Sequence, residues 1–425
     1  MPRFRLLVGG VIALEGVLLA WNAWHYDWLR GYDAFANHLY ADVVANDHRL
    51  PSASESGVWH TPPLWFALAG GLERMTSGLG WGHPQRPAQL LAAAAGLAVC
   101  VLAFLLAREL WPERRGLQLV ALVLTAASPA LVRASAMYHP ETLAVALAVG
   151  GLLVAVRGLR RRATVLTGLG AGALLGLASL TRGWALPVLV AVALVLALEG
   201  WRRRTWGPTL ALVAVAAVCV GPWLANQQLA HGHPLAFNRK APSTALLERR
   251  PASFYLGPRS LAVFERPVTP RFRNELVPQL YADWWGDWAL TWDSPPPPPP
   301  WELLPDRVLS ARIRQSLVGI LPTVLALAGL LALALVAASR RSFAIGVLPL
   351  TALAVAIAFA IFAVRFPSTD GDTLKATYLL VGLVPAAVGA GFVVDVLRPP
   401  GRMSALVVGA MLVALAAVQA PFLIL

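Results

Sequence analysis

Side chains that can move protons are concentrated in one polar stretch, residues 31 to 65, although the chain on both sides is apolar. Carboxylates and imidazoles of this kind act as general acids and bases. For each of them except Asp33 and His60, an ordinary solvated loop is the alternative interpretation. We place the candidate active site in this stretch. Five acids and four histidines lie in it or just before it: Asp27, Asp33, Asp42, Asp47, Glu55, His25, His38, His48 and His60.

The composition indicates the class of protein that must position these groups. Of 425 residues, 57% are hydrophobic and 13% charged, which is typical of a polytopic membrane protein and excludes a water-soluble globule. The net charge of +13 reports membrane orientation first, and the absence of a basic, aromatic-interleaved motif predicts no nucleic-acid partner. Cys100 and Cys219 lie in apolar runs and are expected to be buried, without a disulfide or a metal-thiolate site.

Apolar runs predict an all-α fold with about eleven transmembrane helices and with interfacial helices in the outer loops. The first run, from Leu6 to Trp24, follows two arginines and ends among tryptophans without a cleavage site, so we expect an uncleaved helix with its N-terminus inside. The other predicted helices are long enough to cross a bilayer. They span residues 87–107, 117–135, 141–156, 164–181, 184–199, 208–225, 316–338, 343–364, 376–394 and 404–424.

The segment from Pro62 to Met75 is a possible twelfth span, but it is short and carries Glu73 and Arg74 near its end. If it does not cross, the arginine-rich loops all fall on the side of the N-terminus, as the positive-inside rule requires. We therefore predict an interfacial helix here, begun by the proline pair. All eight histidines and most acids then face the outer side. The arginine-rich inner loops include Arg108, Arg114, Arg115, Arg157, Arg160, Arg161, Arg162, Arg202, Arg203, Arg204, Arg340 and Arg341.

The whole chain, residues 1–425, is expected to be one membrane domain. Its first outer loop, residues 25–86, would carry the catalytic aspartate, and a long outer loop, residues 226–315, would cap the site. Within the long loop, residues 276–292 mix aromatics with Asp283 and Asp287, and six prolines from residue 295 favour a stiff spacer. A tethering loop without a catalytic role is the alternative.

Short motifs along the chain resemble those of one superfamily of membrane enzymes. Asp33 lies some nine residues beyond the first predicted helix and is followed by a Tyr-Ala-Asp, a Leu-Pro and the sequence HTPPL at residues 60–64. Further motifs are YHPE at 138–141, LTRG at 180–183, GPW at 221–223 and KATY at 375–378. Together they are similar to the polyprenyl-phosphate-sugar-dependent C-type glycosyltransferases, which include protein O-mannosyltransferases and the lipid A aminoarabinose transferase. The resemblance covers most of residues 1–394.

The resemblance implies roles for individual residues. Asp33 would be the general base that takes the proton of an acceptor hydroxyl. Related enzymes often have an Asp-Glu pair here, whereas Ala34 follows Asp33 in this chain, so Glu141 is the candidate second acid, with His139 as a neighbouring metal or acceptor contact. Cations at helix ends would hold the donor phosphate, with snorkelling as the alternative. The donor-phosphate candidates are Lys375, Arg182 and Tyr378, and the candidate substrate contacts in the first outer loop are His60, Asp42 and His38.

No cofactor is certain from the sequence, and the only candidate is a divalent cation. His139 and Glu141 could bind it, but two ligands on one turn are too few for a metal-site pattern. Asp370-Gly371-Asp372 has the Asp-x-Asp pattern of nucleotide-sugar enzymes. Because Gly and Asp between two helices are typical of a turn, we interpret it as one.

The resemblance therefore implies a glycosyltransferase that moves a sugar, a hexose or a pentose, from a polyprenyl-phosphate donor to a hydroxyl of a glycan, lipid or protein. The expected location is the extracytoplasmic face of a plasma membrane. One alternative is a ligase or phosphotransferase of lipid-linked glycans, which would share the phosphate contacts. Another is a transporter or flippase, which would be expected to place ionisable groups near the bilayer midplane, where the sequence has only Glu15. The sequence does not identify the sugar or the acceptor.

Overall fold

The fold is helical in every segment that the structure describes. The computed structural model describes residues 2–80, 82–236, 251–269, 275–292, 304–365 and 374–397, with a few single positions beyond residue 408. No strand occurs in these segments, so the all-α prediction is confirmed. The predicted proline spacer and the Asp370-Gly371-Asp372 sequence lie outside these segments.

The α-helices are α1 (Pro2–His25), α2 (Ala34–Asp47), α3 (Leu64–Gly78), α4 (Arg86–Leu110), α5 (Arg115–Ala126), α6 (Pro129–Ala136), α7 (Glu141–Arg161), α8 (Val165–Thr181), α9 (Leu186–Arg203), α10 (Gly207–His231), α11 (Ala252–Leu256), α12 (Leu276–Trp285), α13 (Asp306–Ser339), α14 (Phe343–Arg365) and α15 (Leu383–Leu397). Short 3₁₀ helices span Gly183–Ala185, Ser260–Phe264 and Ala376–Gly382.

Eight helices of the described segments are long and apolar enough to cross a membrane, or nine if α5 and α6 form one bent span. The predicted count of eleven is therefore not confirmed. The helix predicted at 164–181 is α8, which is apolar but has only 17 residues, and most of the run predicted at 404–424 lies outside the described residues. The eight are Pro2–His25, Arg86–Leu110, Glu141–Arg161, Gly183–Arg203, Gly207–His231, Asp306–Ser339, Phe343–Val364 and Ala376–Leu397.

One predicted span, residues 117–135, is broken into α5 and α6, which meet at an angle of 51°. The break comes at Ser128, whose backbone is extended (φ −74°, ψ 112°) because the next residue is proline, and proline disfavours a helical conformation of the residue before it. The bend matters for the site because α6 carries the buried Arg133.

Close packing of α8 against α10 fixes the position of the residues that follow α8. Gly168, Gly172 and Gly176 lie four residues apart and form a small-residue stripe facing α10, which lets two backbones approach closely. A Cβ at Gly172 would lie 2.6 Å from the carbonyl oxygen of Leu212. The chain leaves α8 at Arg182, the C-cap residue.

Polar contacts bring several helix ends to one end of the bundle, which we call the site end. Arg86, at the start of α4, donates a hydrogen bond to the carbonyl oxygen of Ala23 in α1 at 3.1 Å. Gln89 of α4 donates to the carbonyl oxygen of Ala136, the last residue of α6, at 2.8 Å. The segment that was expected to be interfacial forms α3, beginning one residue after Pro63, and packs on α2.

Candidate active site

An ion pair between Asp33 and Lys375 is the centre of the site. Lys375 Nζ donates to Asp33 Oδ2 at 2.6 Å, across 342 residues of sequence. Asp33 is the N-cap residue of α2 and has a left-handed backbone (φ 55°, ψ 17°), which aspartate adopts more readily than most residues. Lys375 immediately precedes the 3₁₀ helix Ala376–Gly382. The structure therefore brings together the predicted base and a predicted phosphate-binding cation.

The surroundings keep Asp33 ionised. Burial opposes its charge, but the ammonium of Lys375, followed by His139 and Arg182, holds the pKa of Asp33 well below its usual value. Burial likewise opposes the charge of Lys375, and Asp33 overcomes it, so the pKa of Lys375 is raised. Because 38% of the Asp33 side chain is exposed, against 11% for Lys375, solvent screens part of this attraction.

A second ion pair, this one buried, lies near the first. Arg182 Nε donates to Glu141 Oε1 at 2.8 Å, and Glu141 Oε2 lies 3.0 Å from His139 Nδ1. Burial opposes the charge of Arg182, but Glu141 outweighs it and raises the pKa of Arg182. The guanidinium carbon of Arg182 lies 5.7 Å from the ring centre of Tyr378, within the range of a cation–π contact. Arg182, Glu141, His139 and Tyr378 therefore form one cluster.

His60 lies close enough to the two ion pairs to respond to their charges. Burial and Arg182 lower the pKa of His60 to about 4, although Asp33 raises it. His60 is therefore neutral near pH 7 and can donate or accept a hydrogen bond.

A cavity of about 300 Å³ opens beside the Asp33–Lys375 pair. Asp283, on α12, accepts a hydrogen bond from the hydroxyl of Tyr32 and another, 2.7 Å long, from the backbone N–H of Ala376. Asp283 thus holds Tyr32 and Ala376, which are the chain neighbours of Asp33 and Lys375. The cavity is lined by Gly31, Tyr32, Asp33, Asp283, Trp288, Ala289, Leu374 and Lys375.

Arg133 forms ion pairs with Asp283 of the cavity wall and with the neighbouring Asp287. It lies 2.8 Å from Asp287 and 3.3 Å from Asp283, and all three side chains are buried. Asp287 also accepts hydrogen bonds from the backbone N–H groups of Trp292 and Thr291, at 2.7 and 3.1 Å. Sequence reasoning did not single out Arg133. The available signal was an arginine inside a predicted apolar span, where a charge is costly and usually functional or paired.

Two predicted substrate contacts have partners elsewhere. His38 Nδ1 lies 3.0 Å from Glu73 Oε2 on α3, and this contact, against the opposing effect of burial, raises the pKa of His38. Asp42 accepts a hydrogen bond from Asn46 at 2.7 Å. Within the described residues neither forms a hydrogen bond or ion pair with Asp33 or Lys375, so the structure connects His38 and Asp42 to α2 and α3 rather than to the cavity.

The described segments offer few side-chain ligands for the expected divalent cation. Within the described segments no group of three or more His, Cys, Asp or Glu side chains could hold a metal ion. Both oxygens of Glu141 already face partners, Arg182 and His139. The two candidate ligands are therefore arranged as part of an ion-pair cluster.

Comparison with known proteins finds one matching family model and several solved structures of similar fold. Residues 61–225 match the family model of dolichyl-phosphate-mannose-protein mannosyltransferase. The fold is similar to that of an oligosaccharyltransferase from Archaeoglobus fulgidus solved with Zn and sulfate, with a TM-score of 0.57, 17% identity and coverage of 97% of this chain and 53% of that one. It is also similar to AglB from the same organism, solved with an inhibitory peptide and a dolichol-phosphate (TM-score 0.57, 16% identity, coverage 99% and 55%). The chain thus spans about half the length of these two proteins.

A more distant likeness is to ArnT from Cupriavidus metallidurans bound to undecaprenyl phosphate, with a TM-score of 0.42, 18% identity and coverage of 91% of this chain and 77% of that one. No curated protein sequence matches the chain. The family match and the shared fold confirm the resemblance that the loop motifs predicted.

Proposed function

We propose that this membrane protein, with its resemblance to the polyprenyl-phosphate-sugar-dependent glycosyltransferases, transfers a hexose or pentose from a polyprenyl-phosphate donor to an acceptor hydroxyl. The observation that carries the proposal is the Asp33–Lys375 ion pair at the wall of a cavity of about 300 Å³. A carboxylate and an ammonium side by side are the two groups that such a transfer needs, one for the proton and one for the phosphate.

In the proposed reaction, Asp33 takes the proton of the acceptor hydroxyl. The acceptor oxygen forms a bond to the anomeric carbon, and the bond from that carbon to the phosphate oxygen breaks. The electron pair of that bond stays with the polyprenyl phosphate, whose charge Lys375 and Arg182 stabilise. Glu141 holds Arg182 at 2.8 Å and so orients its guanidinium.

The ion pair gives this mechanism an order of events. While Lys375 holds Asp33, the low pKa of Asp33 makes it a weak base. A donor phosphate that draws Lys375 away would remove the nearest positive charge and let the pKa of Asp33 rise towards its usual value. Binding of the donor would therefore activate the base for the acceptor.

Trp288 is the candidate contact for the sugar ring. It lines the cavity, and its buried indole N–H has no hydrogen-bond partner in the described part of the chain. An indole offers an apolar face and one donor, which suits a sugar with its apolar C–H face and its hydroxyl groups.

The proposed orientation places the N-terminus in the cytoplasm and the cavity on the extracytoplasmic face of the plasma membrane. Charge supports it, because α7, α9 and α13 end in or next to arginines at the end of the bundle opposite the site. The acceptor would then be a glycan, lipid or protein that is exposed on that face.

The test is a transfer assay with synthetic undecaprenyl-phosphate sugars, preceded by mass spectrometry of lipid that co-purifies with the protein. We expect a bound polyprenyl phosphate, and release of free polyprenyl phosphate that depends on both Asp33 and an acceptor. Movement of intact donor across proteoliposome membranes without its cleavage would overturn the proposal in favour of a flippase. Transfer of the whole phosphate-linked group would favour the ligase or phosphotransferase alternative.

A further inference from the structure

A second cavity, of about 410 Å³, lies at the opposite end of the bundle from Asp33. Helix α7 begins at Glu141 in the candidate active site and ends beside this cavity, so 21 residues of helix, or about 30 Å, separate the two. The cavity is lined by Leu105, Arg108, Glu109, Pro112, Arg157, Arg160 and Arg161.

The lining of this cavity is strongly cationic. Arg157, Arg160 and Arg161 project from one side of the last turns of α7, because residues three and four apart share a helix face. Arg108 at the end of α4 adds a fourth guanidinium, and Glu109 is the only acid in the lining. Four guanidiniums against one carboxylate leave a surplus of three positive charges around a concave surface, which concentrates anions.

Glu109 organises two of the arginines. Its oxygens lie 3.2 Å from Arg157 Nε and 3.6 Å from Arg160, and only 12% of its side chain is exposed. A guanidinium carries five N–H donors, so each of these arginines keeps donors for another anion. Arg108 and Arg161 form no ion pair within the described part of the chain.

Apolar groups complete the cavity wall. Leu105 and Pro112 line it beside the arginines, and the surrounding α4 and α7 are apolar, membrane-length helices. A ligand that fits this combination has a phosphate at the level of the helix ends and hydrocarbon alongside the helices.

We infer that this cavity binds the phosphate-bearing headgroup of an anionic phospholipid. The guanidiniums hold the phosphate oxygens, for which their planar fork is well suited, and the acyl chains follow the apolar surfaces of α4 and α7. The site is separate from the proposed transferase site and does not depend on it.

The test measures lipid binding by native mass spectrometry of the full-length, delipidated protein, titrated with phosphatidylglycerol or phosphatidylcholine. The wild-type protein should retain phosphatidylglycerol preferentially. In the double variant Arg157→Gln, Arg160→Gln, the affinity for the first phosphatidylglycerol should fall by about tenfold or more, as expected for loss of charge-assisted contacts.

A matched control has the same change of charge at the same end of the bundle. Arg202 and Arg203 share one carboxylate, that of Glu199, at the end of α9, and they do not line the cavity. The variant Arg202→Gln, Arg203→Gln should keep wild-type affinity for the first phosphatidylglycerol. An equal loss in both double variants would mean general surface attraction and would overturn the site.

Single variants keep the proposal testable if the first double variant does not fold. Arg108→Gln and Arg161→Gln remove no ion pair found in the described segments, and unchanged phosphatidylglycerol binding in both would overturn the proposal.

A further measurement settles the ligand class. Glycerol 1-phosphate and inorganic phosphate serve as soluble probes. If glycerol 1-phosphate binds as tightly as phosphatidylglycerol, the ligand is a soluble phosphate ester, and the lipid assignment is wrong.

Discussion

The Asp283 carboxylate accepts a hydrogen bond, 2.7 Å long, from the backbone N–H of Ala376. Its other oxygen accepts one from the hydroxyl of Tyr32. Tyr32 precedes Asp33 and Ala376 follows Lys375, so a single buried side chain ties together the two backbone segments that carry the ion pair. Asp283 thus acts on the candidate base and the candidate phosphate contact through their neighbours, which makes it a positioning residue.

Tyr32→Phe tests this positioning role. The change removes the hydroxyl that holds Asp283 but keeps the ring that lies 4.9 Å from Lys375 Nζ. A hydrogen bond to a charged group contributes about 1.5–3 kcal/mol, so we expect kcat for sugar transfer to fall by about tenfold or more. The donor KM should stay within a few-fold of wild type.

Tyr26→Phe is the matched control for that change. The Tyr26 hydroxyl is also largely buried and donates to a backbone oxygen, that of Thr291, at 2.8 Å, but Tyr26 does not line the cavity. It should cost stability of about 1 kcal/mol and leave kcat near wild type. Equal losses of kcat in Tyr32→Phe and Tyr26→Phe would mean that Tyr32 has a structural role and does not position the ion pair.

Lys375→Ala tests the donor contact. A charge-assisted hydrogen bond contributes about 1.5–3 kcal/mol, so the affinity for polyprenyl phosphate, measured by titration in detergent, should fall by about tenfold or more. Lys375→Arg should keep part of it, because the charge remains. Unchanged affinity in the alanine variant would assign Lys375 to membrane snorkelling at a helix end.

Much of the fold follows from the hydrophobic pattern, because a bilayer-length apolar run has few alternatives to a helix. One exception inside the described residues is the run at 117–135, where Pro129 produces the bend between α5 and α6. The mean hydropathy of residues 117–135 does not reveal that the run contains Pro129 and Arg133. In the described segments the buried arginine contacts the carboxylates of Asp283 and Asp287 and the backbone carbonyl of Asp283, about 150 residues away, so its partners could not be predicted from its own segment.

The sequence named Asp33 and Lys375 as candidate site residues, but it did not predict that they pair. Asp33 was assigned by resemblance, and Lys375 by resemblance and by its position at a helix end, yet nothing local indicates that they touch. Nor does the first outer loop reveal which of its acids faces the cavity. Asp33 is placed there by the left-handed backbone that caps α2, whereas Asp42, nine residues later, lies on the helix itself and contacts Asn46.

His60 should make the stability of the protein depend on pH. Burial and Arg182 lower its pKa from 6.5 to about 4, so between these values the unfolded chain binds a proton that the folded protein does not. The stability that neutral His60 contributes to the folded protein is fully present above pH 6.5 and is lost as the pH falls towards 4. Its size is at most between about 3 and 4 kcal/mol, since the pKa falls by about 2.5 and one pKa unit corresponds to about 1.4 kcal/mol.

Thermal unfolding of wild type and His60→Gln between pH 7.5 and 4 measures this effect. The wild-type Tm should fall more steeply than that of His60→Gln in that range, because the variant has no proton to bind. His83→Gln, at an exposed position, controls for the loss of a histidine. Parallel curves for wild type and His60→Gln would contradict the proposed surroundings of His60.

Cysteine labelling checks the orientation. In a variant with Cys100 and Cys219 replaced by alanine, a cysteine at His233, which is exposed, should react with a membrane-impermeant maleimide added to intact cells. A cysteine at Arg161, in the cationic cavity, should react only after the cells are opened. Labelling of the Arg161 position from outside would reverse the topology and move the candidate active site to the cytoplasm.

Asp33→Asn bears most directly on catalysis. Asparagine keeps the size and hydrogen-bonding shape of the side chain but cannot take the acceptor's proton, so the transfer rate should fall by about 10²- to 10⁴-fold, the usual effect of removing a positioned base. Donor binding should survive, because Lys375 and Arg182 remain. The measurement is single-turnover release of polyprenyl phosphate in purified membranes, together with donor affinity.

The controls for that variant are Asp42→Asn and Asp47→Asn, which change acids of the same loop outside the cavity. Asp42 contacts Asn46, and Asp47 pairs at 2.9 Å with the exposed Arg49, so both variants should transfer sugar within a few-fold of wild type. Loss of donor binding together with the rate in Asp33→Asn would indicate a folding defect. Turnover of Asp33→Asn within a few-fold of the parent would make Asp33 an ordinary loop carboxylate, and the base would then have to be Glu141, the acid of the second ion pair.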